Sequence, residues 1–398
     1  MITLEKARRI VLDQARFEKI KKLNISDCFL KVLAQDVYGV KNSPSFDKSI
    51  MDGFALRSSD LRKVPVDLKI VETIFAGCVP RHSIVSGTCA SIATGALLPR
   101  GADVVIKKED TYSLGLERVR ILKKSAPREN ISFKAENFKK GCLLLKKGSV
   151  LNTAGIALLA AQGFKKISVY AAPTVALLAT GCEIKEAGTR LKQGQIWDAI
   201  SPMLIAALRT LNIKPVYLGR VGDDETLLYR KIRKGLRCDI LITCGAVSVG
   251  SRDLIPCVLK KAGFSSLVHK VAIRPGKPFL FAVRPGHLAF GLPGNPVSSL
   301  VGFYLFVRPV LQKILKADFG TPLEEGILRK DVYNNSSRLS FLPARLIAAK
   351  DSIGVVPIKY CGSADVWAAA RADAFLVVPK NKTVLRRGQR IKYLKFAI

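Results

Sequence analysis

The chain has 398 residues, with 65 Lys and Arg against 31 Asp and Glu, a formal net charge of +34. Hydrophobic residues make up 48%, enough to bury cores in roughly two to four domains, so disorder is excluded as the default state. No uninterrupted apolar run reaches a bilayer span, and the nine cysteines form no C-x-x-C pair, which argues against a membrane protein and against a disulfide or zinc scaffold.

The opening stretch "MITLEKARRIVLDQARFEKI" carries an amphipathic helix pattern without the apolar core of a signal peptide, so a cytoplasmic protein is expected. A strand-like exit, "FLKVLAQDVYGV", follows. Residues 41–141 then show short β-type runs broken by turns, such as "VDLKIVETIFAG" and "GADVVIKKED", the rhythm of a small barrel or sandwich. "GCLLLKKGSVLNTAGIALLAAQGF" returns to a strand, a turn and an Ala-rich helix. It is expected to pack on the beginning of the chain, giving a discontinuous first domain of residues 1–40 plus 142–172 around the inserted one.

Between residues 173 and 317 strand and helix patterns alternate: "TVALLATG", "ISPMLIAALRTL", "KPVYLGRVG", "ETLLYRKIRKGL", "CDILITCG", "LIPCVLKKAG", "HLAFGLPG". That alternation predicts a parallel sheet covered by helices. Residues 318–398 return to β-type runs, "FLPARLIAAK", "IGVVPIKY", "DAFLVVPK" and "QRIKYLKF", a small all-β domain. The whole is a multi-domain α+β chain with a central α/β domain.

Open α/β sheets bind ligands beyond the carboxyl ends of their strands. Glu183 follows the first strand of the α/β region, and Asp223 and Asp224 follow the second. "AVSVGSRD", with Ser248, Gly250 and Asp253, follows the third. Arg274 and Lys277 lie in "RPGKP", after the next strand-like run. The last strand runs into "LPGNPVSS", where Asn295 suits an N-cap and Pro296 the first helical position, leaving backbone N–H groups for an anion. Gly294 brings no side chain into that approach, and Pro293 adds no charge to it. Asp and Glu oxygens are hard ligands for Mg²⁺, and cations and helix-start donors suit phosphate. Each residue also has an ordinary reading: Asp223 or Asp253 as an N-cap, Glu183 as a first-turn acid, the cations as solvated surface. The joint placement favours a phosphate-and-metal site. Two turns elsewhere look site-like, Ser49–Asp52–Gly53 in "SFDKSIMDGFALR" and Thr94–Gly95 in "SIATGALLPR", although turn chemistry alone accounts for such residues. The three histidines, His82, His269 and His287, lack metal spacing. "AVSVG" lacks the first glycine of a hydrolase elbow, and no P-loop or G-x-G-x-x-G is present. The cationic excess suits a polyanion, but its dispersal along the chain argues against nucleic acid.

Seven stretches, "SFDKSIMDGFA", "ATGALLPRGADVVI", "LLATGCEI", "CGAVSVGSRD", "RPGKPFLF", "GLPGNPVSSLVGF" and "CGSADVWAAARADAFLVVP", together resemble the molybdopterin molybdenumtransferase family, MoeA in bacteria and the gephyrin E domain elsewhere. The resemblance implies an elongated four-domain subunit whose α/β domain binds molybdopterin. It implies a homodimer with a composite active site, and insertion of molybdenum from molybdate into adenylylated molybdopterin with release of AMP, assisted by Mg²⁺. Carried over by motif, Asp223, Asp253 and Glu183 would serve catalysis and metal binding. Asp52 and Thr94 would be catalytic residues brought by the other subunit. Lys270, Arg274, Lys277, Ser248, Gly250, Pro293, Gly294, Asn295 and Pro296 would bind substrate. A transient contact with the molybdopterin adenylyltransferase is a further expectation. The chain departs from the family pattern at Cys182 (an acid there), Ala246 (a glycine), Arg274 (a lysine) and Asn137 (an acid). Those changes keep open a family member that carries or scaffolds the pterin without turnover.

Overall fold

"TVALLAT" mixes β-branched Thr and Val with Leu and Ala, and its unbroken apolar run suits a strand buried along its whole length because helices cover both of its faces. In the computed structural model, which describes residues 1–245, 254–316, 323–349 and 352–396, this is β1 (Val175–Thr180). The sheet around it comprises β2 (Val216–Val221), β3 (Ile240–Cys244), β4 (Ser265–His269), β5 (Leu280–Arg284) and β6 (His287–Leu292), in the spatial order β2-β1-β3-β6-β5-β4. The pairs β2–β1, β1–β3 and β3–β6 are parallel, as the alternating pattern predicts. β5 runs antiparallel to both β6 and β4, because "FAVRPGHLAF" closes a tight hairpin. The expectation of a wholly parallel sheet is corrected at that strand.

The period-2 rule divides β1 between two cores. Val175, Leu177 and Ala179 pack with Leu204 and Leu208 of helix α1 (Ile200–Arg209), with Phe290, and with Val297 and Val301 further along. Ala176 and Leu178 pack on the other face, with Leu228 and Ile232 of α2 (Glu225–Gly235) and with Ile255 and Val258 of α3 (Leu254–Lys261). "NPVSSLVGFYLFVRPVLQKIL" forms α4 (Pro296–Gly302), a π-helical stretch (Phe303–Val307) and a last α-helical segment (Arg308–Leu315), nearly all buried. Phe279 stacks on Phe306 with ring centroids 4.0 Å apart. No helix among the described residues is long and apolar enough to cross a membrane.

Further along, β7 (Leu323–Leu328), β8 (Leu339–Ala349), β9 (Ser352–Pro357), β10 (Ala374–Val378) and β11 (Arg390–Lys395) close into a barrel, β8-β9-β7-β11-β10 and back to β8. Leu328, Ala344, Val355, Leu376 and Tyr393 are buried in its interior. The first helix spans Leu4–Asp13 and is capped by Thr3, whose Oγ1 accepts from the Lys6 N–H at 3.3 Å. It is shorter than its amphipathic pattern, since Ile20–Asn24 leaves to pair antiparallel with Lys166–Tyr170.

Met1–Gln35, Gly148–Ile156 and Lys166–Ile398 form one compact unit, and Asp36–Lys147 with Ala157–Lys165 forms a second. The second unit holds one mixed six-stranded sheet rather than the expected barrel or sandwich. Its order is Val104–Lys107, Gly53–Leu56, Thr88–Ile92, Val66–Ile74, Arg118–Ile121, Thr111–Ser113. Its two faces carry separate apolar clusters, Ala55 and Val105 on one, Leu56 and Val104 on the other.

Gly53 opens the second strand of that sheet, and a Cβ there would lie 1.8 Å from the Ile106 carbonyl oxygen. The "MDG" glycine is thus demanded by strand packing. Gly53→Ala should destabilise the protein by about 1–3 kcal/mol through overpacking, read as a lower urea midpoint. An unchanged midpoint would mean that the adjoining strand gives way freely.

Candidate functional site

The strands β1, β2, β3, β4 and β6 point the same way, so their exits gather along one edge of the sheet. At the β1 exit the Gly181 N–H donates to the Val221 carbonyl at 3.0 Å, tying this turn to the one after β2. Cys182 and Glu183 are exposed there, and the Glu183 carboxylate folds back over Gly181, whose φ is +140°. After β2, Asp224 is the α2 N-cap, accepting from the Leu227 N–H at 2.9 Å. Asp223 therefore stands one residue outside the cap, and its capping reading is corrected. Neither Glu183 nor Asp223 forms an ion pair with a described residue. Their two strands are neighbours, so both carboxylates belong to one corner of the edge.

The β3 exit begins at Gly245, φ +100°, where a Cβ would meet the Thr180 carbonyl oxygen at 2.1 Å. Ser248, Gly250 and Asp253, with the substituted Ala246, lie outside the described residues. Gly294, at the β6 exit, approaches Gly245 closely: a Cβ on Gly294 would sit 3.4 Å from the Gly245 Cα. The β6 exit lies two strands from β1, about 10 Å at the usual strand spacing.

The "RPGKP" segment joins β4 to β5 at this same edge. Ile273 and Arg274 pair in parallel with Leu339 and Ser340 of the barrel strand β8. The Arg338 Nη1 donates to the Ile273 carbonyl at 2.9 Å. A crevice of about 410 Å³ results, walled by Arg274, Lys277, Pro293, Asn295 and Ser298 on one side and by Arg338, Tyr360 and Ser363 on the other. Asn295 does not cap α4 with its side chain. Its Nδ2 donates to the Ser363 Oγ at 2.9 Å, and the Val297 N–H donates to the Ser363 carbonyl at 3.1 Å. One first-turn donor expected to be open is thus used by the barrel, with Pro296 at the first helical position supplying none. Burial pushes the Tyr360 phenol up to about 12, against the opposing pull of Arg274, so Tyr360 keeps its proton as a donor.

The structure thus brings Arg274, Lys277, Pro293 and Asn295 to one cavity. Lys270, with φ +71°, turns the chain at the β4 exit and is not part of that wall. Arg338, Tyr360, Ser363 and Ser298 were not singled out as site residues from the sequence. Ser363 sits inside "CGSADVW", a stretch that carries the family resemblance, whereas Arg338, in "NNSSRLSF", has no local signal.

Asp52 and Thr94 belong to the second unit. The Thr94 N–H and Oγ1 both donate to Asp52 Oδ1, at 2.7 and 2.8 Å. The Thr94 backbone hydrogen bond, then its hydroxyl, with help from Lys108, hold the exposed Asp52 carboxyl below the usual carboxylate range. Ser49 is buried and clasps the turn, its Oγ donating to the Met51 carbonyl at 2.5 Å.

Chemically, this is a cationic crevice with hydroxyl donors, suited to a tetrahedral or phosphoryl oxyanion, near a corner with two uncompensated carboxylates. Among the described residues no group of three His, Cys, Asp or Glu side chains gathers to cage a metal. Two hard oxygen donors fit the habit of Mg²⁺, which keeps its waters and binds through one or two carboxylates plus substrate phosphate.

Comparison with known proteins agrees along the whole chain. The model of the MoeA N-terminal region (domain I and II) matches residues 2–163, that of a probable molybdopterin binding domain matches 176–313, and that of the MoeA C-terminal region (domain IV) matches 325–396. The molybdopterin molybdenumtransferase of Bacillus subtilis is 31% identical over 410 residues, covering 98% of this chain and 95% of that one. Its counterpart from Haemophilus influenzae is 32% identical, covering 98% of each. A crystal structure of the molybdopterin biosynthesis MoeA protein from Pyrococcus horikoshii superposes with a TM-score of 0.81 at 32% identity, covering 100% of this chain and 99% of that one. A second, from strain OT3, gives 0.79 at 28% identity, covering 100% of each. With the glycine-shaped strand exits, the cationic crevice and similarity over nearly the whole length in view, the chain belongs to the molybdopterin molybdenumtransferase family.

Proposed function

We propose that this protein is a transferase of molybdenum cofactor synthesis that inserts molybdenum from molybdate into adenylylated molybdopterin and releases AMP. The observation that carries the reading is the crevice in which Arg274, Lys277 and Arg338 converge with Ser298 and Ser363. A tetrahedral oxyanion needs such cations and short hydroxyl donors around it, and so does the phosphate of an adenylylated substrate.

Hydrolysis of the phosphoanhydride puts a water oxygen on phosphorus, and the bridging P–O bond breaks with its electron pair leaving on the departing phosphate. Positioned cations neutralise that charge, so no protein nucleophile is required. Insertion then forms two Mo–S bonds, the two thiol protons leaving with one molybdate oxygen as water. Arg274 and Lys277 orient the anions, and Arg338, pinned by the Ile273 carbonyl, offers its remaining N–H groups from the barrel side. Glu183 and Asp223, with Asp253, would hold Mg²⁺, which supplies charge neutralisation at the phosphates. The reading includes a cytoplasmic homodimer in which the partner's Asp52 and the partner's Thr94 complete the site, and a transient meeting with the adenylyltransferase that makes the substrate.

The test is AMP release from adenylylated molybdopterin with and without molybdate. Release should require molybdate, and substrate binding without release would instead favour a carrier. Asp223→Asn should lower kcat by about 10²-fold, the usual scale for losing an electrostatic group at such a reaction centre. Arg338→Ala should raise the KM for molybdate about tenfold, as loss of a charge-assisted contact does, with kcat less affected.

The Asp52 reading has its own check. Thr94→Val removes one of the two hydrogen bonds that lower this carboxyl, so an NMR titration should show its midpoint moving up. A carboxylate with a lowered native pKa stabilises the fold above its unfolded pKa, and that contribution is lost as pH falls through the native value. Thr94→Val should accordingly lose stability at a higher pH during acid titration than the parent chain.

A further inference from the structure

At the opposite edge of the α/β sheet from the oxyanion crevice lies a cavity of about 510 Å³. The β5–β6 hairpin supplies Arg284 and His287 to it, the start of β4 supplies Ser265, and the chain leaving the first helix supplies Arg16 and Phe17. Arg284 ends β5, and the other end of that strand follows closely on Lys277 of the crevice. The Lys277 and Phe279 carbonyls accept from the Val271 and Lys270 N–H groups at 3.1 and 3.0 Å, so the chain stays extended from Lys277 into β5. At about 3.3 Å per residue, Lys277 and Arg284 stand about 20 Å apart. One small anion cannot occupy both places.

Two arginines line this cavity, and no Asp or Glu among the described residues does. Neither Arg16 nor Arg284 forms an ion pair with a described residue. Two acids beside the cavity are engaged elsewhere. Glu18 lies 3.9 Å from Lys316, and Asp239, whose carbonyl accepts from the Leu288 N–H, holds Lys19 at 2.7 Å. The Asp13 carbonyl, not its carboxylate, takes the Arg16 Nε–H at 3.0 Å. Arg284 is tethered in the same way, its Nη1 donating to the Ala262 carbonyl at 3.2 Å. A guanidinium carries five N–H donors, so most of each fork stays available while the tether restrains it. Like charges held around one hollow repel, and an anion between them reverses the sign of that interaction.

The remaining walls are largely apolar, with Phe17, Val283, Pro285 and Leu288 among them. The volume falls in the range of small-ligand sites, about 300–1,000 Å³, and exceeds what a bare tetrahedral ion fills. A carboxylate has two oxygens and satisfies one guanidinium fork. A phosphoryl group has three terminal oxygens and up to two charges, so it can take forks from two arginines. We propose that this cavity is a second anion site, which takes the phosphoryl group of a small phosphate monoester between Arg16 and Arg284. The Ser265 hydroxyl is a further donor, and the organic body of the ligand lies against Phe17 and Leu288. The site stands apart from the insertion chemistry and does not depend on it.

The experiment is calorimetric titration of the full chain with phenyl phosphate, inorganic phosphate and benzoate. Because the crevice also suits oxyanions, each titration is repeated on a chain carrying Lys277→Ala and Arg338→Ala together, which strips that crevice of two cations. Phenyl phosphate should bind more tightly than either inorganic phosphate or benzoate, and one binding event should persist with the crevice stripped. In that background Arg16→Ala should weaken phenyl phosphate about tenfold, the scale of a lost charge-assisted hydrogen bond, and Arg284→Ala should do the same. Arg16 is exposed, so its variant decides the question even where Arg284→Ala, which also cuts the tie to Ala262, fails to fold. The site is overturned if phenyl phosphate does not bind, if its binding vanishes with the crevice cations, if Arg16→Ala leaves it untouched, or if inorganic phosphate or benzoate binds equally well.

Discussion

The short parallel bridge between Ile273–Arg274 and Leu339–Ser340 is the contact on which the site depends. It ties the loop at the edge of the α/β sheet to strand β8 of the closed barrel. Arg338 reinforces it by donating to Ile273, and the Ser363 loop adds a second tie through Asn295 and Val297. Backbone pairing is the appropriate device here. A strand bridge holds register to a fraction of a residue, and cations that must converge on one anion need that order of positioning. Flexible side-chain contacts would leave Arg274 and Arg338 free to repel each other apart.

Charge is distributed with similar economy. Acids are outnumbered about two to one in this chain, and many are consumed by structure. Asp239 holds Lys19 and the Thr174 N–H and hydroxyl, Asp198 accepts from the Ile200 and Ser201 N–H groups, and Asp224 and Asp365 cap helices. Asp52 is bound to Thr94 and kept ionised. Against that background Glu183 and Asp223 stand at adjacent strand exits without an ion-pair partner among the described residues. The cationic crevice stands further along the same edge, so anion and cation chemistry are placed side by side without collapsing into salt bridges.

Cys182 sits exposed at the first of these exits, beside Glu183. Nothing in the structure explains why a thiol stands where the family pattern has an acid. Arg274, by contrast, has a structural rationale for replacing lysine. It bounds two cavities at once, and a planar guanidinium with five donors can serve two faces where an ammonium serves one point.

Much of this molecule was determined by its sequence alone. Alternating apolar runs and helix patterns dictated the α/β region, because periodicity and turn chemistry are local, and the motifs at strand ends marked the family and put Glu183, Arg274, Lys277 and Asn295 forward as candidates. Local pattern did not separate Asp223 from Asp224, since either can cap; only the fold decided that Asp224 does, leaving its neighbour free. Nor did it show that β5 runs backwards, that the last strands close into a barrel, or that Val297 gives its N–H to Ser363. Arg338 and Tyr360 were likewise invisible as site residues. They lie more than sixty positions from the residues they meet, and no local spacing encodes a meeting that exists only once the α/β layer and the barrel are joined by a strand bridge.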